Sequence, residues 1–241
     1  MRRYFQTAVL WLAAVSAGGL INPAHGEMVG DEEAIALANQ MIESIGGKAL
    51  WSSGRSLYVI EKSRTPRGGG TMGTFWRDLQ VPRERYRLDT RRGNVIEFWW
   101  DHRGVYQTVN GALRMEGLPD NIRQLVKDYW PGEVYVLFHR IASEDSLLRY
   151  ENGSEPGQFR VINSKTGDLR GTFWVNGDGE MYRWRHFDEE NPVEYVYGPL
   201  RNFGAISFPS WGAQVDGSWM FEYVEVRLSE EAFGISFDAP E

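Results

Sequence analysis

A chain without cysteine must build any chemistry from histidines, carboxylates and hydroxyls. Three of its four histidines, His102, His139 and His186, lie far from the amino terminus. No two of them stand at the HExxH spacing of a zinc protease, and no zinc-finger spacing occurs. The sequence has no GxSxG nucleophile elbow and no phosphate-binding glycine loop. A Ser-His-Asp triad is assembled in space, so spacing alone does not reveal one, and three histidines among many serines single out no such set. Asn176, Asp178 and Glu180 place oxygens like those of a calcium loop. Their spacing is not that of an EF-hand, and Asn176-Gly177-Asp178-Gly179 reads as a hairpin turn. The chain therefore reads as a binding protein rather than an enzyme, with no cofactor and no metal. A hydrolase of unrecognised type is the catalytic alternative.

Two groups of residues are suited to binding. Trp99, Trp100, Trp174, Trp184, Trp211 and Trp219 lie on or beside segments that alternate like strands. They either pack a core or line a ligand cavity. Trp99 and Trp100 are neighbours on one strand and must face opposite sides, so only one can point inward. The second group is basic. Between Arg55 and Arg92 ten basic residues meet four acidic ones, a local charge of +6. Arg83, Arg85 and Arg87 share one face of a strand there. They read either as a contact face for anionic lipid headgroups or an acidic partner, or as an ordinary solvated strand face.

The elements that must position these residues are mostly strands. Asp31 to Ile45 is an amphipathic helix, with Asp31 as N-cap, Glu32 and Glu33 in its first turn, and Ala34, Leu37, Ala38, Met41, Ile42 and Ile45 as its apolar stripe. Gly46-Gly47 ends it. Strands are expected at 56–63, 71–79, 83–91, 94–100, 105–109, 112–115, 158–163, 169–175, 180–187, 192–197, 204–208 and 218–228. Pro209 to Gly212 is expected as a kink or edge. The spacing of turns implies antiparallel hairpins, and the fold class is mainly β with helices (α+β). The expected architecture is a single curved half-barrel of about ten or eleven strands.

One segment, Leu118 to Ser146, interrupts the hairpins with helical spacing. Asp120 to Tyr129 reads as a core helix. From Glu133 to Ile141 the chain is apolar nearly all round, and Tyr135 and Val136 fall outside a single stripe. Val134 to Phe138 is also β-prone, so a strand is the alternative there. As a helix this part is expected to lie over the sheet as a lid. Trp130, Val134, Leu137, Phe138 and Ile141 would then contact an apolar cargo, with Met41 and Trp99 on the opposing walls. A trough of this kind suits an acyl chain, because each buried methylene contributes about 0.8 kcal/mol.

The amino terminus sets the address. Arg2-Arg3, the apolar run Ala8–Ile21 and Ala24-His25-Gly26 form a secretory signal peptide with cleavage expected after Gly26. At 14 residues the run is short for a membrane span, although an uncleaved anchor is the alternative. Residues 27–241 are expected as one domain. Without Arg2 and Arg3 they carry 24 basic and 33 acidic residues, a net charge of −9, which argues against nucleic acid. No second run of spanning length occurs, so the exported protein is not expected to be integral to the membrane.

The layout also resembles a known family. The helix Ala34–Gly47 ends in Gly46-Gly47 and is followed by Lys48-Ala49-Leu50 and the strand Ser56-Leu57-Tyr58-Val59. Near the carboxy terminus come Pro209, Asp216-Gly217, the strand Phe221–Leu228 and Phe237-Asp238-Ala239-Pro240. Together these resemble the outer-membrane lipoprotein-sorting proteins with a LolA/LolB-type fold. The resemblance implies a highly curved antiparallel half-barrel with helices lidding its concave apolar side. It implies a periplasmic carrier or chaperone for a lipid or a lipoprotein acyl chain, or else an envelope sensor acting through a protein partner. Without a lipid-attachment cysteine the chain resembles the soluble carriers rather than the anchored acceptors. The Trp-rich strands and the Glu133–Ile141 run depart from the family pattern.

Overall fold

The structure is a computed structural model that describes residues 27–64, 70–90, 92–101, 104–116, 129–186 and 193–231. The expected signal peptide, the insert's first half before Tyr129, His102 and the last ten residues lie outside the described residues.

The described strands are β1 (Val29–Gly30), β2 (Ser56–Arg64), β3 (Gly70–Asp78), β4 (Glu84–Asp89), β5 (Val95–Trp100), β6 (Val105–Val109), β7 (Ala112–Glu116) and β8 (Leu148–Asn152). They continue with β9 (Gln158–Asn163), β10 (Leu169–Val175), β11 (Met181–His186), β12 (Val193–Tyr197), β13 (Leu200–Phe203), β14 (Ile206–Pro209), β15 (Trp211–Gln214) and β16 (Met220–Ser229). Fourteen of them form one curved, unclosed sheet in the order β1-β8-β9-β10-β11-β12-β15-β16-β2-β3-β4-β5-β6-β7, and β13 pairs only with β14.

Two meanders, β2–β7 and β8–β12, are thus joined by the carboxy-terminal strands. β16 pairs with β2 antiparallel from Met220↔Arg64 to Ser229↔Ser56, with one bulge between Tyr223 and Glu225. The longest strand therefore sits mid-sheet, where it gains partners on both edges.

The strand number corrects the expectation of ten or eleven. Four of the strands, β1, β8, β13 and β15, had not been foreseen. β1 is two residues long and pairs parallel to β8, which no local pattern encodes. The Pro209–Gly212 segment is not an edge either, since β15 starts at Trp211 inside the sheet between β12 and β16. Pro209 ends β14 and the chain steps from the small hairpin into the large sheet at Ser210.

Among the described residues three α-helices pack together over the core. In α1 (Glu32–Ser44) Ala34, Ala38, Met41 and Ile42 are buried. Asp31 holds the N-cap position but makes no side-chain cap bond; its Oδ2 accepts from the Asn152 backbone N at 2.8 Å, pinning the helix start to β8. Gly47, at φ 89°, carries the chain into α2 (Lys48–Ser53), whose Trp51 is buried and donates from Nε1 to the Ile45 carbonyl at 3.1 Å. After a 3-10 turn at Trp130–Gly132 comes α3 (Val134–Ala142). It is a helix, not a strand, and it is buried on every side, with Val136, Leu137, Phe138 and Ile141 at 0 % exposure. A helix apolar all round is a core helix. It packs against α1 and α2, so Tyr135 and Val136 need no special explanation.

Candidate functional site

Strand alternation decides what faces the helices. In β2 Leu57, Val59, Glu61 and Ser63 are buried on the helix-bearing face. A glutamate therefore occupies a core position. Across β3 the same face carries Gly73, Phe75 and Arg77, and across β4 it carries Leu88, Tyr86 and Glu84. Charged residues at the inward phase of three adjacent strands are costly unless something uses or neutralises them.

Arg77 is neutralised twice. It makes an ion pair with Glu84, and its Nη1 lies 2.5 Å from Glu133 Oε1. Burial alone would lower its pKa, but Glu133 and Glu84 outweigh this and raise it. Its guanidinium also lies over the rings of Phe75 (5.3 Å) and Tyr135 (5.2 Å). Glu133 is the N-cap of α3. Its Oε2 accepts from the backbone N of Tyr135 at 2.9 Å and of Val136 at 3.3 Å. One carboxylate thus caps the helix and ties it to the sheet. Burial pushes the Glu133 pKa up and Arg77 opposes this.

Among the described residues Glu61 has no such partner. It is 8 % exposed and receives one hydrogen bond, from the Tyr86 hydroxyl at 3.3 Å. Burial raises its pKa, the Tyr86 hydrogen bond lowers it, Glu84 raises it and Arg77 lowers it, and the balance lies at about 7. Gly73, directly opposite Glu61, makes the hydroxyl contact possible, because a Cβ there would come within 2.6 Å of Tyr86 Oη. Gly73→Ala is expected to displace Tyr86 and lower stability by about 1–3 kcal/mol as overpacking. A urea midpoint matching the parent would show that Tyr86 does not need the bare position.

These groups line a cavity of about 220 Å³ between the start of α3 and the sheet. Nine aromatic side chains surround it: Phe75, Tyr86, Tyr129, Tyr135, Trp184, Tyr195, Tyr197, Trp219 and Phe221. Tyr195 links them as a wall, stacked with Trp184 at 5.9 Å and with Tyr197 at 6.3 Å, and tilted against Phe221 at 5.8 Å. Glu61, Glu84, Glu133, Arg77 and Val134 complete the lining.

Of the residues expected to touch cargo, only Val134 lines this cavity. Leu137, Phe138, Ile141 and Met41 lie in the main core at 0 % exposure. Trp130 is half-buried and donates from Nε1 to the Asp78 carbonyl at 3.3 Å, anchoring the turn before α3. Trp99 faces the other way. Arg85 pairs with Trp99 and Tyr86 with Phe98, so the cavity side of β5 carries Phe98 and Trp100.

The arginine face is paired. Arg83 meets Asp78 (2.7 Å), Arg85 meets Glu97 (2.8 Å) and Arg87 meets Asp89 (3.1 Å). Arg85 also lies over Trp99 (4.8 Å) and Trp76 (5.6 Å), on the sheet face away from the cavity. Lys62 and Arg64 instead flank an outer groove of about 330 Å³ beside Trp211 and Met220.

The histidines within the described residues are structural. His139 Nδ1 donates to the Trp51 carbonyl at 2.9 Å, joining α3 to α2, and burial lowers its pKa. His186 stacks on Tyr129 at 4.5 Å and bonds its carbonyl at 3.2 Å. Asn176 Oδ1 accepts from the backbone N of Asp178 and of Glu180, as a hairpin turn requires. Among the described residues no cluster of His, Asp or Glu is arranged to hold a metal.

With the geometry in place, comparison with known proteins gives a narrow result. No family model and no curated protein matches the chain. Several solved structures are similar to it over most of their length at low sequence identity. One is a LolA superfamily protein from Nitrosomonas europaea, 9 % identical, covering 81 % of this chain and 93 % of that one, with a TM-score of 0.46. A DUF1329 family protein from Desulfovibrio piger is 10 % identical over 85 % of this chain and 94 % of that one, with a TM-score of 0.44. An inferred outer membrane lipoprotein-sorting protein domain from Vibrio parahaemolyticus gives 10 %, the same coverages and 0.43. At such identities the site must be read from its own chemistry.

Proposed function

We propose that this chain is an exported, non-catalytic carrier that binds a lipid, or the lipid of a lipoprotein, with one end held in the cavity beneath the start of α3. One observation carries this reading: nine aromatic side chains and a small set of charged groups line one cavity, a lining suited to holding one end of an amphiphile. Its carboxylates suit holding better than cleaving. Of its three carboxylates Glu84 and Glu133 are both engaged by Arg77, so Glu61 has no second unpaired carboxylate in the cavity with which to form the acid and base pair of a glycosidase. The leader at residues 1–26 supports a periplasmic location. No helix among the described residues is long and apolar enough to cross a membrane.

The proposed place of contact moves from the middle of α3 to its first turn, Glu133 to Tyr135, and to the aromatic wall opposite. At about 220 Å³ the cavity is smaller than the roughly 300–1,000 Å³ of typical small-molecule sites. It takes one end of an amphiphile, and a longer chain must extend beyond it.

Native mass spectrometry of protein purified from the periplasm tests the reading, paired with uptake of a fluorescent acyl probe. Retained amphiphile, and probe binding weakened by Tyr195→Ala, are the expected results. Bare protein that also ignores the probe would overturn it. Recovery of a stoichiometric protein complex with no bound amphiphile would favour an envelope sensor instead.

A further inference from the structure

The cavity holds more negative charge than its own cation answers. Three carboxylates, Glu61, Glu84 and Glu133, face it together with one guanidinium, that of Arg77. Arg77 is committed to Glu84 and Glu133. Among the described residues Glu61 makes no ion pair, is nine-tenths buried and lines the cavity with a single tyrosine hydroxyl as donor. The aromatic faces already host a cation, since Arg77 lies over Phe75 and Tyr135. Aromatic rings attract cations through their quadrupole, most strongly where water is excluded.

We infer that the cavity is a cage for an organic ammonium group, in which Tyr195, Trp184, Phe221 and Tyr86 surround the cation and Glu61 supplies the opposing charge. This rests on the cavity being the ligand site and names the chemical class of what enters it. A phosphate or a fatty-acid carboxylate is disfavoured there, because it would face Glu61 while Arg77 is already neutralised. The ammonium group can belong to an amine-bearing lipid headgroup or to a free quaternary solute.

Protonation couples to this site. The charged and titratable groups facing Glu61 are Glu84 and Tyr86 from β4, Arg77 from β3, Glu133 and Tyr135 from the start of α3, Tyr195 from β12 and Tyr223 from β16. In the empty cage Glu61 titrates near pH 7, and only its ionised form balances a cation. Cation affinity therefore rises as pH goes from about 6 to 8. Folding responds oppositely. A carboxyl whose folded pKa is raised above its unfolded 4.5 contributes its full stability below pH 4.5, and that contribution is lost as pH rises through about 7.

Calorimetry on the full mature chain, at pH 6 and pH 8, tests the inference with four probes: choline, dodecyltrimethylammonium, the uncharged choline isostere 3,3-dimethylbutanol, and dodecyl sulfate. The expected result is that each ammonium binds at least about tenfold more tightly than its neutral or anionic counterpart at pH 8, and more weakly at pH 6. Glu61→Gln keeps an acceptor for Tyr86 and removes the charge. It is expected to fold, to melt no lower than the parent at pH 8, and to lose both the ammonium preference and its pH dependence. Equal binding of choline and its neutral isostere, tighter binding of dodecyl sulfate, or an undiminished preference in Glu61→Gln would overturn the inference. The alkyl tail separates the two sources. Tighter binding of dodecyltrimethylammonium than of choline supports an amphiphilic ligand. Equal binding of the two supports a free solute, which overturns the carrier reading and leaves the cage intact.

Discussion

Phe138→Ala is expected to destabilise the protein by about 3–5 kcal/mol, the range for truncating a large buried aromatic. Phe138 is 0 % exposed. It meets Trp51 edge-on at 5.2 Å, Phe173 at 6.2 Å, Tyr135 at 6.5 Å and Phe208 at 6.5 Å, so one ring joins α2, α3, β10 and β14. Removing it leaves a void that four rigid neighbours cannot collapse to fill. Domains are typically stable by only about 5–15 kcal/mol, so a third or more of the total could be lost. The check is the urea midpoint at unchanged m-value. The outcome also separates two roles for α3. Were Phe138 a cargo contact, the variant would keep its midpoint and lose only ligand. The packing around it predicts a lower midpoint in the absence of ligand.

Arg77→Met is expected to cost a similar amount, about 3–5 kcal/mol, for a different reason. Methionine fills much of the side-chain volume, so the loss is chiefly electrostatic. Glu84 and Glu133 would remain with no counter-charge, one of them still capping α3. Burial already raises the Glu133 pKa, and without Arg77 it rises further. At pH 8 the variant must therefore hold Glu133 charged and without its counter-charge, while at lower pH Glu133 takes up a proton and the penalty shrinks. The midpoint difference from the parent should be largest at pH 8 and clearly smaller at pH 5. Adding Glu133→Gln, which keeps an oxygen for the Tyr135 backbone N, should recover part of the loss, and a double-mutant cycle measures how much. A penalty independent of pH and unrelieved by Glu133→Gln would mean that Arg77 acts by packing alone.

Much of the local structure was legible because the patterns are local. β9 and β10 occupy the expected spans 158–163 and 169–175, and the Ala34–Met41–Ile42 stripe buries as its spacing demands. The site was less legible. Glu61, Arg77 and Glu84 each stand in the inward phase of a strand, a signal present in the alternation but overshadowed by the density of charge in that sector. The apolar run of α3 pointed to cargo because greasiness on every side is consistent with either a lid or a core helix. Only the presence of α1 and α2 beside it distinguishes them.

The sequence alone determined the α1 stripe, most of the strands and hairpin turns, and the lack of thiol chemistry, since each depends on residue types or on neighbours within a few residues. Tertiary structure decided three other things. It placed β16 between two meanders, it made Glu133 both helix cap and partner of Arg77, and it left Glu61 unanswered among aromatic rings. Those outcomes depend on residues more than fifty positions apart along the chain meeting across a sheet, and pairing over such distances is set by how the whole core closes rather than by any local spacing.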